Sequence, residues 1–241
     1  MQGIDFWLSA ALNSLVRRSW ALDAFLILCA SNFVVKGAWV VALYPWAWFR
    51  RHEQARSHHS LLIYGLIASL ASVLLARILA DILPFRQRPI SHPLLHTSIA
   101  QNFRTETLLG WSSFPSDHAT LFATLACVLM YVSRPIGILA FLYVLAVIDL
   151  PRIILGIHYP TDILAGTGLG VGIAALAKCA RVRDGVAGPI LRFRDRQPGL
   201  FYAAFSLLIF GIGTVFWPVL EVMHFGCVVL RGVLRRAMGL M

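Results

Sequence analysis

Long apolar runs alternate with short polar stretches along most of the chain. Runs close to the ~20 residues that a bilayer crossing needs lie at roughly 60–84, 116–133, 135–156, 160–178 and 200–222. A further stretch, 21–49, is apolar but interrupted at Ser31-Asn32 and Lys36, and reads as one long or tilted span. Before it, Ile4, Trp7, Leu8, Ala11, Leu12 and Leu15 recur at helical spacing over 4–16, and Arg17 and Arg18 close the segment. That length is too short to cross, so residues 1–20 are expected as an interfacial amphipathic helix. The alternating segments of about ten residues that mark a β-barrel are absent. The pattern predicts an all-α polytopic transmembrane helix bundle of about six spans, forming one membrane domain over 1–241. Residues 85–114 and 179–199 are its long polar connections, and 200–241 its last span and basic tail.

Composition agrees: 59% of the 241 residues are hydrophobic and 13% charged, against about 25% charged in soluble domains. The net charge of +10 fits nucleic acid or membrane lipid as partner; basic loops that set topology explain it with no nucleic acid. Arg50, Arg51 and Arg56, then Arg134, then Lys178, Arg181, Arg183, Arg192, Arg194 and Arg196 fall in alternate connections. The positive-inside rule makes that side cytoplasmic and leaves 85–114 and the turn near 157–160 on the other. Arg17, Arg18, Arg231, Arg235 and Arg236 fit this scheme poorly. Cys29, Cys127, Cys179 and Cys227 have no metal-ligand spacing and read as packing residues. The N-terminus has no basic segment followed by a long apolar core, so no cleavable signal peptide is expected. Gly166, Gly168, Gly170 and Gly172 lie inside an apolar helix with no strand before them, which excludes a phosphate loop. Gly168 and Gly172 are expected to serve close helix packing.

Ionisable side chains are costly within a bilayer, yet they gather at the non-cytoplasmic span ends. The second span ends in Arg77, Asp81, Arg86 and Arg88-Pro89; the third opens with Pro115-Ser116-Asp117-His118; the fourth ends in Asp149 and Arg152; the fifth opens with His158 and Asp162. Converging there, they suit phosphoryl transfer. Arginine forks bind phosphate oxygens, and Ser116 with helix N-terminal amides adds neutral donors. One histidine can attack phosphorus while a second protonates the leaving oxygen. Asp162, four residues after His158, is within reach of its ring if the turn is helical.

These blocks resemble the signature of the type 2 phosphatidic acid phosphatase family, relatives of vanadium-dependent haloperoxidases. Arg88-Pro89 matches the first block, Pro115-Ser116-Asp117-His118 the second, and Arg152, His158 and Asp162 the third, so the likeness covers the catalytic blocks over 77–162. It implies His158 as a nucleophile forming a phosphohistidine, Asp162 as its orienting partner and His118 as general acid. Arg88, Ser116 and Arg152 would bind phosphate, with Asp117 beside them. No metal or cofactor is implied, because arginines supply the charge that Mg²⁺ supplies elsewhere. Two positions depart from the pattern. Asp81 occupies the place of the family's lysine, and Pro151 replaces a serine before Arg152. Arg86 or Arg77 is expected to replace the missing cation, with Asp81 pairing to Arg77 at i,i+4.

The remaining ionisable groups have plainer readings. His52, His58, His59 and His224 fit packed or interfacial positions, as do His92 and His96 in the 85–114 loop. Asp149 is expected to partner an arginine, and Trp46, Trp48, Phe49 and Trp111 to form interfacial belts. The expected function is a bacterial inner-membrane lipid phosphate phosphatase with its site facing outward. Undecaprenyl diphosphate is favoured as substrate over phosphatidate or phosphatidylglycerol phosphate. A lipid phosphotransferase using the same site is the alternative, followed by a non-catalytic transporter or scaffold; transporters favour midplane charges and repeated halves, and neither is seen.

Overall fold

The computed structural model describes residues 2–50, 55–103, 105 and 110–214, and every regular element among them is helical. In order these are α1 (Gln2–Asn13), α2 (Trp20–Ser31), α3 (Trp39–Phe49), α4 (Ala55–Ile82), α5 (Asp117–Val132), α6 (Arg134–Tyr143), α7 (Leu150–Ile154), α8 (Pro160–Ala175), α9 (Ala180–Arg196) and α10 (Pro198–Gly213). The basic tail, the end of the last expected span, His52 and His224 lie outside the described residues.

The chain is an integral membrane protein. Ala55–Ile82, Arg134–Ile154 and Pro160–Lys178 are each long and apolar enough to cross a bilayer. The pair Trp20–Ser31 and Val34–Phe49, bent by 61°, makes a fourth if counted as one span. Among the described residues the expected six spans are not reached by this measure: α5 is apolar but 16 residues long, and α10 is described over 16 residues. The bend has a local cause. Asn32 Oδ1 accepts from the amides of Val34 and Val35 at 3.0 and 3.2 Å, capping a fresh helical start. That start is a π-helix, Val34–Ala38. A second π-helix, Val144–Asp149, links α6 to α7 just before Pro151, which has no N–H for the carbonyl one turn back.

At the centre lies α5, buried without a break from Ala119 to Leu129 and packed on α4, α6 and α8. Its contact with α8 is made by Gly166 and Gly170: a Cβ there would stand 2.4 Å from the Ser116 carbonyl and 2.5 Å from that of Thr120. Gly168 and Gly172, expected to do this, have nothing within 4 Å. Residues two apart on a helix point to nearly opposite sides, so only one pair of glycines can face α5. The close approach holds the start of α8 against the start of α5. The polar connection 179–199 is largely helical; α9 buries Ala187 and Leu191 and packs on α4.

The N-terminal helix is oriented by its polar stripe. Asp5, Ser9 and Asn13, at i, i+4 and i+8, are buried, while Ile4 and Trp7 are exposed on the other side. Asn13 Nδ2 donates to the carbonyls of Ser98 and Ile154, and its Oδ1 accepts from the Ser98 amide.

Candidate active site

Main-chain hydrogen bonds stitch the separated blocks together. The Ser113 amide donates to the Arg86 carbonyl (2.9 Å), Ile90 to Gly156 (2.8 Å) and Ser116 to Asp162 (3.1 Å). Gly156 has φ +72°, and a Cβ there would lie 3.2 Å from the Ile90 nitrogen, so glycine serves both the turn and the approach. Ser116 caps α5, its Oγ accepting from the Ala119 amide at 3.3 Å. Asp162 caps α8, its Oδ2 accepting from the Tyr159 amide at 2.8 Å.

His158 sits in the turn between α7 and α8, 3% exposed. Its Nδ1 is 2.8 Å from the Ser113 carbonyl oxygen. A carbonyl only accepts, so Nδ1 carries the proton and Nε2 presents its lone pair. Asp162 was expected in that orienting role; its Oδ2 stands 3.6 Å from Nδ1, near enough to act by charge while a main-chain oxygen fixes the tautomer. Burial pushes the His158 imidazole below its usual range; the Asp162 carboxylate opposes that, and the Arg88 guanidinium adds to it. The neutral ring is therefore favoured. On the other side, Arg88 Nη1 lies 3.4 Å from Nε2 and 2.9 Å from the Ile157 carbonyl.

His118 opens α5, with Nδ1 2.8 Å from Asp117 Oδ1. Its Nε2 is buried and has no hydrogen bond among the described residues. Asp117 also accepts the His118 amide at 2.8 Å and pairs through Oδ2 with Arg77. Three expectations change here. Asp117, expected beside the phosphate binders, has its carboxylate taken up by the His118 ring and amide and by Arg77. Arg77 pairs with Asp117, not with Asp81, which is exposed. The first amides of α5 are taken up by Ser116 and Asp117 side chains, leaving the Ser116 hydroxyl hydrogen as the neutral donor at this helix end. Trp111 lies 4.9 Å from the Arg77 guanidinium, and His92 meets Phe6 of α1 edge-on.

Arg86, the other residue expected to replace the missing lysine, is engaged by two carboxylates. Its Nη1 donates to Asp162 Oδ1 (2.5 Å) and Thr161 Oγ1 (2.8 Å), and its Nη2 to Asp5 Oδ2 (2.6 Å). Its guanidinium also lies 4.2 Å from the Tyr159 ring centroid. Asp5 further accepts from the Thr161 amide and hydroxyl at 3.2 and 2.6 Å. A chain thus runs from α1 through Asp5 and Arg86 to Asp162 and the His158 turn. Asp5→Ala is expected to lower kcat/KM by roughly 10-fold, the lower end of what a lost supporting hydrogen bond costs a site. Ile4→Ala on the outer side of α1 should leave it unchanged. Steady-state rates of the two variants check this.

Two cations make no close ion pair. Arg88 makes no ion pair among the described residues, and its Nε is buried without a partner. Arg152, 3% exposed, donates Nη1 to the Ile148 carbonyl at 2.6 Å and makes no ion pair among the described residues. Asp149, its expected partner, has both oxygens buried with no hydrogen bond and acts on Arg152 only through space. The site so built pairs an imidazole lone pair with two arginines that make no ion pair among the described residues, and a second histidine at the head of α5. Sequence reasoning missed Ser113, because its contribution is a main-chain oxygen, and Asp5, whose signal was the stripe Asp5, Ser9, Asn13.

The sequence pattern of the PAP2 superfamily matches residues 60–185. This chain belongs to the PAP2 superfamily. It is 39% identical over 111 residues to decaprenylphosphoryl-5-phosphoribose phosphatase of Mycobacterium tuberculosis, covering 46% of this chain and 53% of that protein. The bacitracin transport permease protein BcrC of Bacillus licheniformis is 30% identical over 115 residues, covering 46% and 51%. The chain therefore spans about half the length of these relatives. Among solved structures, a transmembrane PAP2-type phosphatidylglycerolphosphate phosphatase from Bacillus subtilis superimposes with a TM-score of 0.48 at 24% identity, over 73% of this chain and 84% of that one. The PAP2 match takes in Arg88, Ser116, His118, Arg152, His158 and Asp162, and leaves α1 and the bent α2–α3 pair outside.

Proposed function

We propose that this PAP2 superfamily member is a lipid phosphate phosphatase working through a phosphohistidine at His158. The observation that carries the reading is the His158 ring itself: Nδ1–H held by the Ser113 carbonyl and Nε2 aimed at Arg88, an arginine with no ion pair among the described residues. In the first step Nε2 attacks phosphorus and the bond to the lipid oxygen breaks, that oxygen taking a proton from His118. Arg88 and Arg152, with the Ser116 hydroxyl, hold the equatorial oxygens as charge spreads over them. Asp162, 3.6 Å from Nδ1, offsets the positive charge gained by the ring. In the second step water attacks phosphorus while His118, left neutral by the first step, accepts its proton; the P–N bond breaks, its electron pair returns to Nε2, and inorganic phosphate leaves with His158 neutral again.

The substrate class we favour is a polyprenyl phosphate or diphosphate, with undecaprenyl diphosphate first. A relative named for a decaprenylphosphoryl-phosphoribose supports the polyprenyl class. The tail would stay among the exposed apolar helix faces while the headgroup enters at the span ends. The charge pattern of the connections supports an inner-membrane location with the site facing outward.

The test is phosphate release in detergent with EDTA from polyprenyl and glycerolipid phosphates across a pH series. We expect release from polyprenyl substrates with EDTA present; release from none of the panel would overturn the reading. Because burial lowers the His158 pKa and the neutral ring is the nucleophile, activity should persist as pH falls. The acid limb of kcat/KM should then lie below the ordinary histidine value of about 6.5. Asp162→Asn removes a carboxylate that raises this pKa and should move the limb further down. A limb above the ordinary value would contradict the assignment.

A further inference from the structure

We propose that Lys36, from the bend between α2 and α3, binds the substrate phosphate and supplies the cation that the first signature block lacks. The inference rests on the phosphate-site reading above but involves a residue outside the family match and outside all three blocks. Lys36 lies in the π-helix Val34–Ala38 and is only 8% exposed. Among the described residues its ammonium has no hydrogen bond and no ion pair; the Phe33 ring centroid lies 5.2 Å away. A lysine side chain this enclosed, with no acceptor on its ammonium among the described residues, is costly and is retained where something anionic meets it.

Its position is fixed by its neighbours. A Cβ on Gly37 would come within 2.5 Å of Phe122 Cζ, so the backbone at the bend presses on α5 one turn below His118. The His118 and Phe122 rings are themselves 6.5 Å apart. The Tyr143 hydroxyl donates to the Val35 carbonyl, tying the bend to the end of α6, and the two π-helices pack on each other. Electrostatically, Lys36 acts on Arg152, Asp117 and His118, and Arg152 acts on Arg88. Three cations thus converge from separate elements, Lys36 from the bend, Arg88 from the loop after α4 and Arg152 from α7, and none has an ion pair among the described residues. Of the negative groups nearby, Asp117 is engaged with Arg77 and His118 and Asp162 with Arg86 and the start of α8; Asp149 makes no hydrogen bond and offsets Arg152 through space, which leaves Lys36 and Arg88 without a carboxylate of their own. A phosphate dianion answers that imbalance. Asp81, at the signature's lysine position, is exposed, so the cation arrives from another helix instead.

Binding of inorganic phosphate to the detergent-solubilised full chain tests this, comparing wild type with Lys36→Met and Lys36→Arg. Methionine keeps the length of the side chain without its charge, so the phosphate-free protein should melt no lower than wild type. We expect the Kd to rise roughly 10- to 100-fold in Lys36→Met, the loss typical of a charge-assisted hydrogen bond, and much less in Lys36→Arg. A Lys36→Met protein that melts like wild type and binds phosphate within twofold of it overturns the inference, as does a wild type that binds no phosphate. Lys36→Gln replaces methionine under the same criterion if that variant does not fold. Lipid phosphate release is measured beside it. A wild type that binds phosphate through Lys36 yet releases none from any lipid would leave Lys36 standing and remove the phosphatase reading.

Discussion

His158→Ala is expected to lower kcat for lipid phosphate release by roughly 10,000-fold or more, the scale seen when a nucleophile of a cooperating set is deleted. The size follows from how the ring is held. The Ser113 carbonyl at 2.8 Å fixes the tautomer, and burial keeps the ring neutral. Arg88 at 3.4 Å from Nε2 marks where phosphate oxygens would sit. Removing the ring removes the only attacking atom so arranged among the described residues, while Arg88, Arg152 and Ser116 still bind phosphate. The loss should therefore appear in kcat with little change in the affinity for inorganic phosphate. Single-turnover rates together with phosphate binding separate the two; a large loss of binding with unchanged kcat would point to a binding role instead.

The second large effect concerns His118, and it should depend on the leaving group. Asp117 accepts from Nδ1–H, and Nε2 is buried with no partner, so the ring serves as the acid in its imidazolium form, which the Asp117 carboxylate favours. His118→Gln should slow release from an alkyl or polyprenyl phosphate by roughly 100- to 10,000-fold, the range of general acid catalysis. An aryl phosphate such as p-nitrophenyl phosphate needs no proton on its leaving oxygen, so its loss should be much smaller. Equal losses on both substrates would show that His118 acts by holding structure or phosphate, not by donating a proton.

Much of the fold could be read from apolar run length, because a bilayer imposes it: α4, α5, the Arg134–Ile154 run, α8 and α10 all fall where runs were expected. The connection holding α9 was misread since its charged face hides a helix that buries only Ala187 and Leu191. Gly168 and Gly172 were the wrong pair because the sequence shows spacing along a helix, not which side meets α5. In the site, His158, Asp162, His118 and Arg152 were legible because each is a side chain at a short, fixed spacing from another. The pairings of Arg77 with Asp117 and Arg86 with Asp5 span 40 and 81 residues and depend on which helix ends meet. Local i,i+4 reasoning could not find them and favoured Asp81 for Arg77. Lys36 looked like an interruption of a span; only the Asn32 bend turns it inward.

The central claim is a covalent bond between His158 and phosphorus. Rapid mixing of wild-type protein with radiolabelled polyprenyl phosphate, followed by an alkaline quench that preserves phosphoramidates and peptide mapping, tests it directly. Label is expected on His158, formed fast enough to lie on the path of turnover, with overall retention of configuration at phosphorus. Turnover at the full rate with no labelled His158 and inversion at phosphorus would mean direct attack by water, and would contradict it.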